Sequence, residues 1–264
     1  MTLKAPWSGY ILPPCLNRMK THKIYYHEYS GDGVANLLES PFTVEGVGYG
    51  LVSEYSVSPK DAIYSVCPAW KHRSNRNFMV RSPVDIDFSV NREEKYLISN
   101  SLTQLQFDRW FGPTFDDPNW CSHEKTTIQS TIPRFIFWTK SKNIWIEQKP
   151  HPLTSLRNNF ITVGGWFNIS NWNRPLSFAF DVVNTDQQVI IRRGDPVAQI
   201  SFYSQNLDDG FVVQRAEPPD EIVKLTTRTS AAVSTFAGKV PQDILNGIFQ
   251  NKESKCPFHH LWKK

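Results

Sequence analysis

The sequence predicts a mainly β protein, an antiparallel barrel or sandwich of the jelly-roll or β-clip type, with a short helical C-terminal region. Three observations support this fold class. Apolar and polar residues alternate over Val84–Val90, and short apolar runs follow one another between residues 133 and 214 without a helical pattern between them. Aromatic residues make up 13% of the 264 residues, which suits pleated surfaces, and 40% hydrophobic residues exclude wholesale disorder.

The N-terminal part of the chain predicts an extended arm followed by strands. Three prolines within residues 1–20 disfavour a helix there. The aromatic run at residues 22–29 is compatible with a strand. In Val84–Val90 the period of two places four apolar side chains on one face and Asp85 and Asp87 on the other, which predicts a half-buried antiparallel strand.

The segment from residue 97 to residue 120 is less regular. Residues 97–111 fit a strand or a helix, because Leu105 and Phe107 alternate whereas Leu102 and Leu105 are three apart. Prolines and aspartates over Gly112–Trp120 predict a loop. The sequence therefore does not decide between a strand and a helix for residues 97–111.

The most regular strand pattern begins after residue 133. Arg134–Thr139 and Asn143–Glu147 flank the polar Lys140-Ser141-Lys142, which predicts a β-hairpin. The pair Gly164-Gly165 interrupts a strand pattern and predicts a bulge or a close approach of two backbones. Further strands are predicted at 160–163, 166–169, Leu176–Val183, Val189–Arg192, Val197–Tyr203 and Phe211–Gln214.

The C-terminal segment changes character after Pro218-Pro219. We expect a β-rich domain with its N-terminal arm at residues 1–217 and a helical appendage at residues 218–264. Asp220-Glu221 precedes a patchy apolar stretch, which predicts the start of a helix. Pro241–Gln250 has an apolar stripe and a proline in its first turn, which predicts a second helix.

Charge and cysteine content favour a protein that binds neither nucleic acid nor a membrane. The net charge is only +4, and no run of about 18 apolar residues exists. The four cysteines form no CxxC pair and the N-terminal residues lack the apolar core of a signal peptide, so we expect reduced thiols in a cytoplasm. The densest basic stretch is short and predicts a solvated face; it consists of Lys71, His72, Arg73, Arg76 and Arg81.

One short segment resembles a known group of barrels. Gly194-Asp195-Pro196-Val197-Ala198-Gln199 is similar to the "GD-x-x-AQ" stretch of dUTPases and dCTP deaminases, and cupin barrels have a similar glycine turn. The resemblance implies a β-turn-β unit in which the glycine adopts a turn conformation and Asp195 caps it. The chain departs from the dUTPase pattern at Pro196, where that family has arginine, and it contains no Gly-Arg-Ser-Ser stretch.

A broader resemblance covers most of residues 67–203. It is to an uncharacterised family of bacteria and tailed phages, and it implies a phage origin without supplying a catalytic residue. The segments that carry it are Cys67-Pro68, Arg81–Asp85, Pro133-Arg134, Gly164–Trp166, Trp172–Pro175 and Arg193–Pro196.

Two parts of the sequence contain residue types that bind metal ions. Cys121 and His123, together with Cys256, His259 and His260, offer enough ligands for tetrahedral zinc. The two groups are separated by the 132 residues that lie between His123 and Cys256, and nothing in the sequence shows that they meet. A buried thiol and exposed histidines are the simpler interpretation, so we predict no metal site.

Other candidates also have simpler structural interpretations. An oxygenase site needs alternating ligands on one strand, but His27-Glu28 is adjacent, so both side chains cannot face one side. Asp85 and Asp87 share a strand face and fit acid–base chemistry or a cation, or simply a wet face. The group Trp166, Trp172, Arg174 and Pro175 fits a sugar or base site, or packing between sheets. We predict no catalytic residue and no cofactor.

The sequence favours a non-enzymatic β-rich assembly or binding protein, such as a phage particle component. The alternative is a barrel enzyme, either a metal-dependent cupin-type catalyst or a nucleotide hydrolase related to dUTPases. We expect the partner to be a protein, either a second copy or a virion, reached through the N-terminal arm and the aromatic C-terminal tail. The expected location is a host cytoplasm or a virion.

Overall fold

A computed structural model of the chain describes residues 20–28, 51–53, 63–82, 84–94, 96–115, 126–152 and 158–236. Within these residues fourteen strands form three sheets. The strands are β1 (Thr21–Glu28), β2 (Leu51–Ser53), β3 (Asn77–Arg81), β4 (Ile86–Asn91), β5 (Tyr96–Ser99), β6 (Phe111–Phe115), β7 (Thr126–Trp138), β8 (Trp145–Lys149), β9 (Phe160–Thr162), β10 (Gly165–Asn168), β11 (Leu176–Val182), β12 (Val189–Ile191), β13 (Pro196–Tyr203) and β14 (Gly210–Arg215). The helices are α1 (Pro68–Ser74), α2 (Gln104–Trp110) and α3 (Asp220–Phe236), with a 3-10 turn at Ile63–Val66.

The sheets form a sandwich-like arrangement and not a closed barrel. The first sheet has the order β14-β1-β7-β11-β9, with β6 also paired to β7; the second has the order β10-β8-β13-β3-β2; the third is β12-β4-β5. Every pair is antiparallel except β1 and β14, which run parallel. The predicted fold class, mainly β with antiparallel sheets and a C-terminal helix, is therefore confirmed, in its sandwich form.

Aromatic side chains fill the space between the sheets. Phe137 of β7 meets Phe202 of β13, with ring centroids 6.0 Å apart, so this pair joins the first sheet to the second. Phe88 of β4 lies 6.4 Å from Phe180 of β11 and joins the third sheet to the first. All four rings are buried. Each such ring contributes about 1.5–3 kcal/mol by leaving water, which accounts for the high aromatic content.

The strand predicted from Val84–Val90 is confirmed by β4, which begins at Ile86. Val84, Ile86 and Phe88 are buried, whereas Asp85 is exposed, as alternation predicts. The strands predicted at 22–29 and after residue 133 are also present, as β1 and β7 to β14.

The predicted hairpin around Lys140-Ser141-Lys142 is wrong. Its two strands exist, but β7 belongs to the first sheet and β8 to the second, and they do not pair with each other. Side-chain hydrogen bonds carry the connecting chain across: Thr139 Oγ1 donates to the carbonyl of Lys23 at 2.7 Å, and the hydroxyl of Ser170 accepts from the amide of Ile144 at 2.9 Å. Periodicity shows that a turn follows a strand but does not show which sheet the next strand joins.

The loop predicted over Gly112–Trp120 is also wrong in its first part, because β6 (Phe111–Phe115) pairs with β7 there. Pro113 is tolerated because β6 pairs on one side only, and an edge strand can lack one backbone donor. Residues 116–120 lie outside the described part of the chain. The ambiguous residues 97–111 divide into the end of β5 and helix α2.

The predicted close approach at Gly164-Gly165 is confirmed. The glycines lie where the chain passes from β9 in the first sheet to β10 in the second. A Cβ on Gly164 would lie 3.2 Å from the carbonyl oxygen of Gln148, and one on Gly165 would lie 3.0 Å from the ring of Phe167. A side chain at Gly164 would therefore crowd the backbone of β8, and one at Gly165 would crowd Phe167 of its own strand, both within the second sheet.

The turn that carries the dUTPase-like resemblance also has the expected local structure. Gly194 has φ +87°, a left-handed conformation that glycine adopts without strain. Asp195 Oδ2 accepts a hydrogen bond from the amide of Arg192 at 2.8 Å, which is the predicted cap. The turn then leads directly into β13.

The C-terminal helix begins as predicted at Asp220, and α3 extends to Phe236. Asp220 and Glu221 occupy its first turn, where carboxylates are favoured. The second predicted helix, Pro241–Gln250, and the N-terminal arm lie outside the described residues, and the domain division at residue 217 stays a prediction. Among the described helices, none has the length and apolar character to cross a membrane.

Candidate functional site

A polar cleft of about 800 Å³ opens at one end of the sandwich. It lies between the start of β1, the connection from β7 to β8, and the connection from β13 to β14. Every described residue that lines it is polar; they are Lys20, Thr21, His22, Ser141, Lys142, Asn143, Ser204, Gln205, Asn206 and Asp209. A cleft lined by polar residue types favours a polar ligand.

Strand register brings the central residues of the cleft together. In the parallel pair of β1 and β14, Thr21 lies opposite Gly210. His22 is next to Thr21 along β1, and Asp209 immediately precedes β14, so the two side chains meet at the start of this pair. Ser141 reaches the same point from the connection that crosses between the two larger sheets.

Ser141, His22 and Asp209 form a continuous hydrogen-bonded chain. His22 Nε2 lies 2.8 Å from Asp209 Oδ2, and His22 Nδ1 lies 2.9 Å from Ser141 Oγ. The side chains of His22 and Asp209 are 12% and 6% exposed. The imidazole also packs beside the ring of Phe211, with centroids 5.7 Å apart. Hydroxyl, imidazole and carboxylate therefore lie in the order that nucleophilic catalysis uses.

The carboxylate of Asp209 is held ionised by several donors. Besides His22, it accepts hydrogen bonds from the amide of Lys20 at 3.0 Å, from Ser204 Oγ at 3.0 Å and from Asn206 Nδ2 at 3.1 Å. The hydrogen bond from His22 is the largest cause that lowers the pKa of Asp209 to about 2, against the opposing effect of burial. An ionised carboxylate accepts hydrogen bonds only, so in the neutral imidazole the proton lies on Nε2 and Nδ1 is left as the acceptor.

A clamp behind the cleft holds the connection from β13 to β14. Arg76 Nη2 donates to the carbonyls of Leu207 and Asp209, the latter at 2.5 Å, and its guanidinium carbon lies 5.2 Å from the centre of the Phe211 ring. His72 Nε2 lies 2.7 Å from the same carbonyl of Leu207. Burial lowers the pKa of Arg76, and Asp209 opposes that shift.

This clamp corrects the prediction of a solvated basic face. Arg76 is buried, although Lys71 and Arg73 of the same basic stretch are exposed as expected. The physical reason is that Nη2 finds two backbone carbonyls in the connection from β13 to β14 and the guanidinium lies beside the ring of Phe211 on β14, which together offset part of its loss of water. Sequence alone does not show that this partner connection lies beside it.

The backbone of Ser141 is fixed from both sides. Its amide donates to Thr139 Oγ1 at 3.1 Å, and its carbonyl accepts from Ser170 Oγ at 2.8 Å. Asn143, two residues later, has φ +54°, a left-handed conformation that asparagine tolerates. The hydroxyl of Ser141 therefore reaches the cleft from a turn that its neighbours hold in place.

The structure divides the predicted aromatic group. Trp172, Arg174 and Pro175 line one cavity of about 160 Å³ between the sheets, whose other lining residues are Phe137, Ile146, Phe167, Ile169, Leu176 and Ser177. Trp166 lies elsewhere: it is 50% exposed and stacks on Tyr203, with ring centroids 4.9 Å apart. Burial and a hydrogen bond to Glu147 raise the pKa of that tyrosine.

The carboxylates of Asp85, just before β4, and Asp87, on β4, accept hydrogen bonds that hold neighbouring turns. Asp85 Oδ1 accepts from the amide of Arg193 at 2.9 Å, and Asp87 Oδ1 accepts from Asn100 Nδ2 at 3.1 Å. His27 Nδ1 lies 3.5 Å from Glu217 Oε2. These contacts support the structural interpretation of the two aspartates.

The metal-ligand candidates Cys121, His123, Cys256, His259 and His260 all lie outside the described residues. Within the described ranges, no group of three or more His, Cys, Asp and Glu side chains is placed to hold a metal ion. The prediction that there is no metal site stays a prediction.

Sequence reasoning missed the Ser141–His22–Asp209 chain. Ser141 is 119 residues from His22 in the sequence, and His22 is 187 residues from Asp209. Lys140-Ser141-Lys142 and Asp208-Asp209-Gly210 have the composition of ordinary turns, and neither belongs to a nucleophile motif. No local signal could have joined these three positions.

No family model matches the chain, and no curated protein matches it. Solved structures that it matches weakly include a dUTPase from phage phi11 of Staphylococcus aureus, at 8% identity and a TM-score of 0.29 over 49% of this chain and 76% of that one. A dUTPase of Staphylococcus bacteriophage 80alpha matches at 6% identity and a TM-score of 0.28, over 55% of this chain and 83% of that one. At such low TM-scores and identities these neighbours show neither the fold nor the activity of this chain.

Proposed function

We propose that the protein binds a small, polar, negatively charged ligand in the cleft beside His22. The observation that carries this proposal is the described lining of the cleft, whose residues are all polar and include two lysines, Lys20 and Lys142, and one aspartate. A binding role is one of the two functions that the sequence favours, and the cleft supplies a place for it.

The charge balance of the cleft favours an anion. The carboxylate of Asp209 is engaged with His22, Ser204, Asn206 and the amide of Lys20, and the low pKa keeps it in that role. The ammonium groups of Lys20 and Lys142 are on exposed residues of the lining, where they can meet a ligand carboxylate or phosphate. Hydroxyl and amide groups around them provide further hydrogen bonds.

Calorimetric titration of the purified protein with citrate and with inorganic phosphate tests the proposal. We expect saturable binding of at least one of the two. Replacing both lysines, Lys20→Gln with Lys142→Gln, should weaken it about tenfold, since two exposed charge-assisted contacts contribute about 0.7 kcal/mol each.

The matched control is Lys140→Gln, an exposed lysine of the same connection that does not line the cleft, and it should bind as the unaltered chain does. Absence of binding by both probes, or equal loss in the control, contradicts the proposal. Incubating the protein with dUTP tests the alternative of a nucleotide hydrolase. Release of pyrophosphate would favour that alternative.

We also propose self-association as a second function, through the outer edge of the second sheet. Among the described strands β10 lies at an edge of the second sheet, and Trp166 on β10 and Trp145 on the neighbouring β8 are 50% and 39% exposed. An exposed edge that carries aromatic side chains is a favourable surface for a second copy of the chain. Membership of a phage particle stays a prediction of the sequence resemblance.

Light scattering across a range of protein concentrations tests this second proposal. We expect a concentration-dependent dimer that Trp166→Ala weakens. Leu105→Ala is the control, because Leu105 is exposed on helix α2, away from that edge. A monomer at every concentration contradicts self-association and leaves the ligand proposal untouched.

A further inference from the structure

We infer that the polar cleft is also a nucleophilic site, in which Ser141 attacks the carbonyl carbon of a carboxylic ester that bears a second, anionic group. His22 acts as the general base and Asp209 is its positioning residue. This inference rests on the proposed anion binding for its choice of substrate, and it rests on the hydrogen-bonded chain for its chemistry.

The geometry meets the requirements for an activated hydroxyl. A nucleophilic serine needs a base within hydrogen-bond reach, and the base needs a third group that orients it. Ser141 Oγ lies 2.9 Å from His22 Nδ1, and His22 Nε2 lies 2.8 Å from Asp209 Oδ2. The three groups also line the cleft, so a ligand held there can reach the hydroxyl.

The two ring nitrogens exchange the roles that they have in serine proteases, where Nε2 faces the serine and Nδ1 faces the aspartate. The exchange preserves the chemistry, because either nitrogen of a neutral imidazole can accept a proton when the other carries one. Here the ionised Asp209 places that hydrogen on Nε2. The lone pair of Nδ1 therefore points to the hydroxyl of Ser141.

Both ends of the chain are held in position before a ligand arrives. Asp209 is fixed by four donors to its carboxylate and by Arg76, which binds its carbonyl. Ser141 is fixed through its own amide and carbonyl by Thr139 and Ser170. Such support lowers the cost of ordering the groups at the moment of reaction. A turn that only connected two strands would not need a buried carboxylate aligned with its hydroxyl.

The reaction consumes one water and needs no other co-reactant. Ser141 Oγ forms a bond to the ester carbon while its proton passes to His22 Nδ1. The bond from that carbon to the alcohol oxygen then breaks, and Nδ1 returns the proton to the departing alcohol. Water repeats the two steps on the acyl-serine, giving its proton to Nδ1, which protonates Ser141 Oγ as the acid leaves. Lys20 and Lys142 hold the second anionic group.

A fluorophosphonate probe, which forms a covalent bond with activated serines, tests the nucleophile on the full chain. We expect one adduct, located on Ser141 by mass spectrometry. Ser141→Ala should abolish it, and His22→Gln should slow its formation about 100-fold. The control Ser101→Ala removes a hydroxyl on the remote turn beside Asp85 and should leave labelling unchanged.

A second measurement separates positioning by Asp209 from a purely structural role. Asp209→Asn should slow labelling of the folded protein, because the asparagine amide can donate to Nε2 and leave the ring hydrogen on Nδ1, where the imidazole cannot accept the proton of Ser141. Asp209→Glu keeps the carboxylate and should recover part of the rate. A structural role alone would change the folded fraction and leave the labelling rate per folded molecule in place, so an unaltered rate in folded Asp209→Asn overturns the assignment of Asp209.

Hydrolysis of the mono-p-nitrophenyl ester of succinate tests the substrate class, with p-nitrophenyl acetate as the neutral comparison. We expect the succinate ester to react faster, and Lys20→Gln with Lys142→Gln to remove that preference. If citrate or phosphate still binds but no adduct forms, the nucleophilic site is overturned and ligand binding stands. If the adduct forms without binding of either anion or any preference for the succinate ester, the proposed function is overturned and the nucleophile stands.

Discussion

Two concave regions of the molecule lie beside the connection from β7 to β8, and they differ in chemistry, because one has a mainly apolar lining and the other a polar one. Phe137 before the connection and Ile146 after it line the apolar cavity, together with Trp172. Ser141 and Lys142, within the connection, line the polar cleft. A few residues of the chain therefore separate the mainly apolar cavity between the sheets from a site that contains a hydroxyl, an imidazole and a carboxylate.

The difference reflects which part of a strand-and-turn unit builds each region. The apolar cavity is built mainly by residues on strands, whose alternation places every second side chain between the sheets. The polar cleft is built mainly by the ends of strands and the turns between them, where the chain meets water. Predictions about the two regions should therefore separate stability from binding.

The largest effect on stability is expected from a substitution in the apolar cavity. Phe137→Ala removes a buried ring that contacts Phe202 and enlarges the apolar cavity, so it should lower the free energy of unfolding by about 3–5 kcal/mol. Urea denaturation measures the change. Affinity for citrate in the folded fraction should be unaltered; a parallel loss of affinity would mean that the two regions are not independent.

A smaller but distinct effect is expected from the carboxylate of the polar cleft. Asp209→Asn replaces a buried ionised acceptor of four hydrogen bonds, so it should lower the free energy of unfolding by about 2 kcal/mol. Asp208→Asn is the matched control, because Asp208 is exposed, and its effect should stay within about 0.5 kcal/mol. Equal effects in the two variants would remove the special role of Asp209.

The same carboxylate predicts how stability depends on pH. The folded pKa of Asp209, about 2, lies below its ordinary value of 3.8. Its contribution is therefore complete above about pH 4 and is lost as the pH falls towards about 2. Denaturation midpoints measured across that window should fall less steeply for Asp209→Asn than for the unaltered chain. The slope for Asp208→Asn should match that of the unaltered chain.

The smallest effect is expected at the turn before β13, which lies outside both regions and depends on the left-handed backbone conformation of Gly194. Gly194→Ala should cost about 1 kcal/mol, because φ +87° is unfavourable for residues with a Cβ although nothing obstructs that atom. Gly112→Ala is the control, since its Cβ also meets open space and its φ is not positive. Thermal unfolding of both variants separates the backbone strain, which only Gly194→Ala introduces, from other effects of replacing a glycine.

The sequence predicted most strands well and their partners poorly. Alternation identified the strand at Ile86–Asn91, and the left-handed glycine and its aspartate cap identified the turn at Gly194-Asp195. The hairpin around Lys140-Ser141-Lys142 failed, because pairing depends on which sheet offers an open edge. The sequence did not predict β6, because a short edge strand that contains glycine and proline has a composition that is also typical of a loop.

The sequence by itself determined the β class, the positions of most strands and the apolar faces that the strands bury, because each follows from neighbours one or two residues apart. Only the tertiary structure decided that Ser141, His22 and Asp209 meet, and that Arg76 supports them from within the fold. These contacts depend on the parallel pairing of β1 with β14 and on a connection that crosses between sheets. The hydrogen bonds that result join residues more than a hundred positions apart in the sequence, where no periodicity extends.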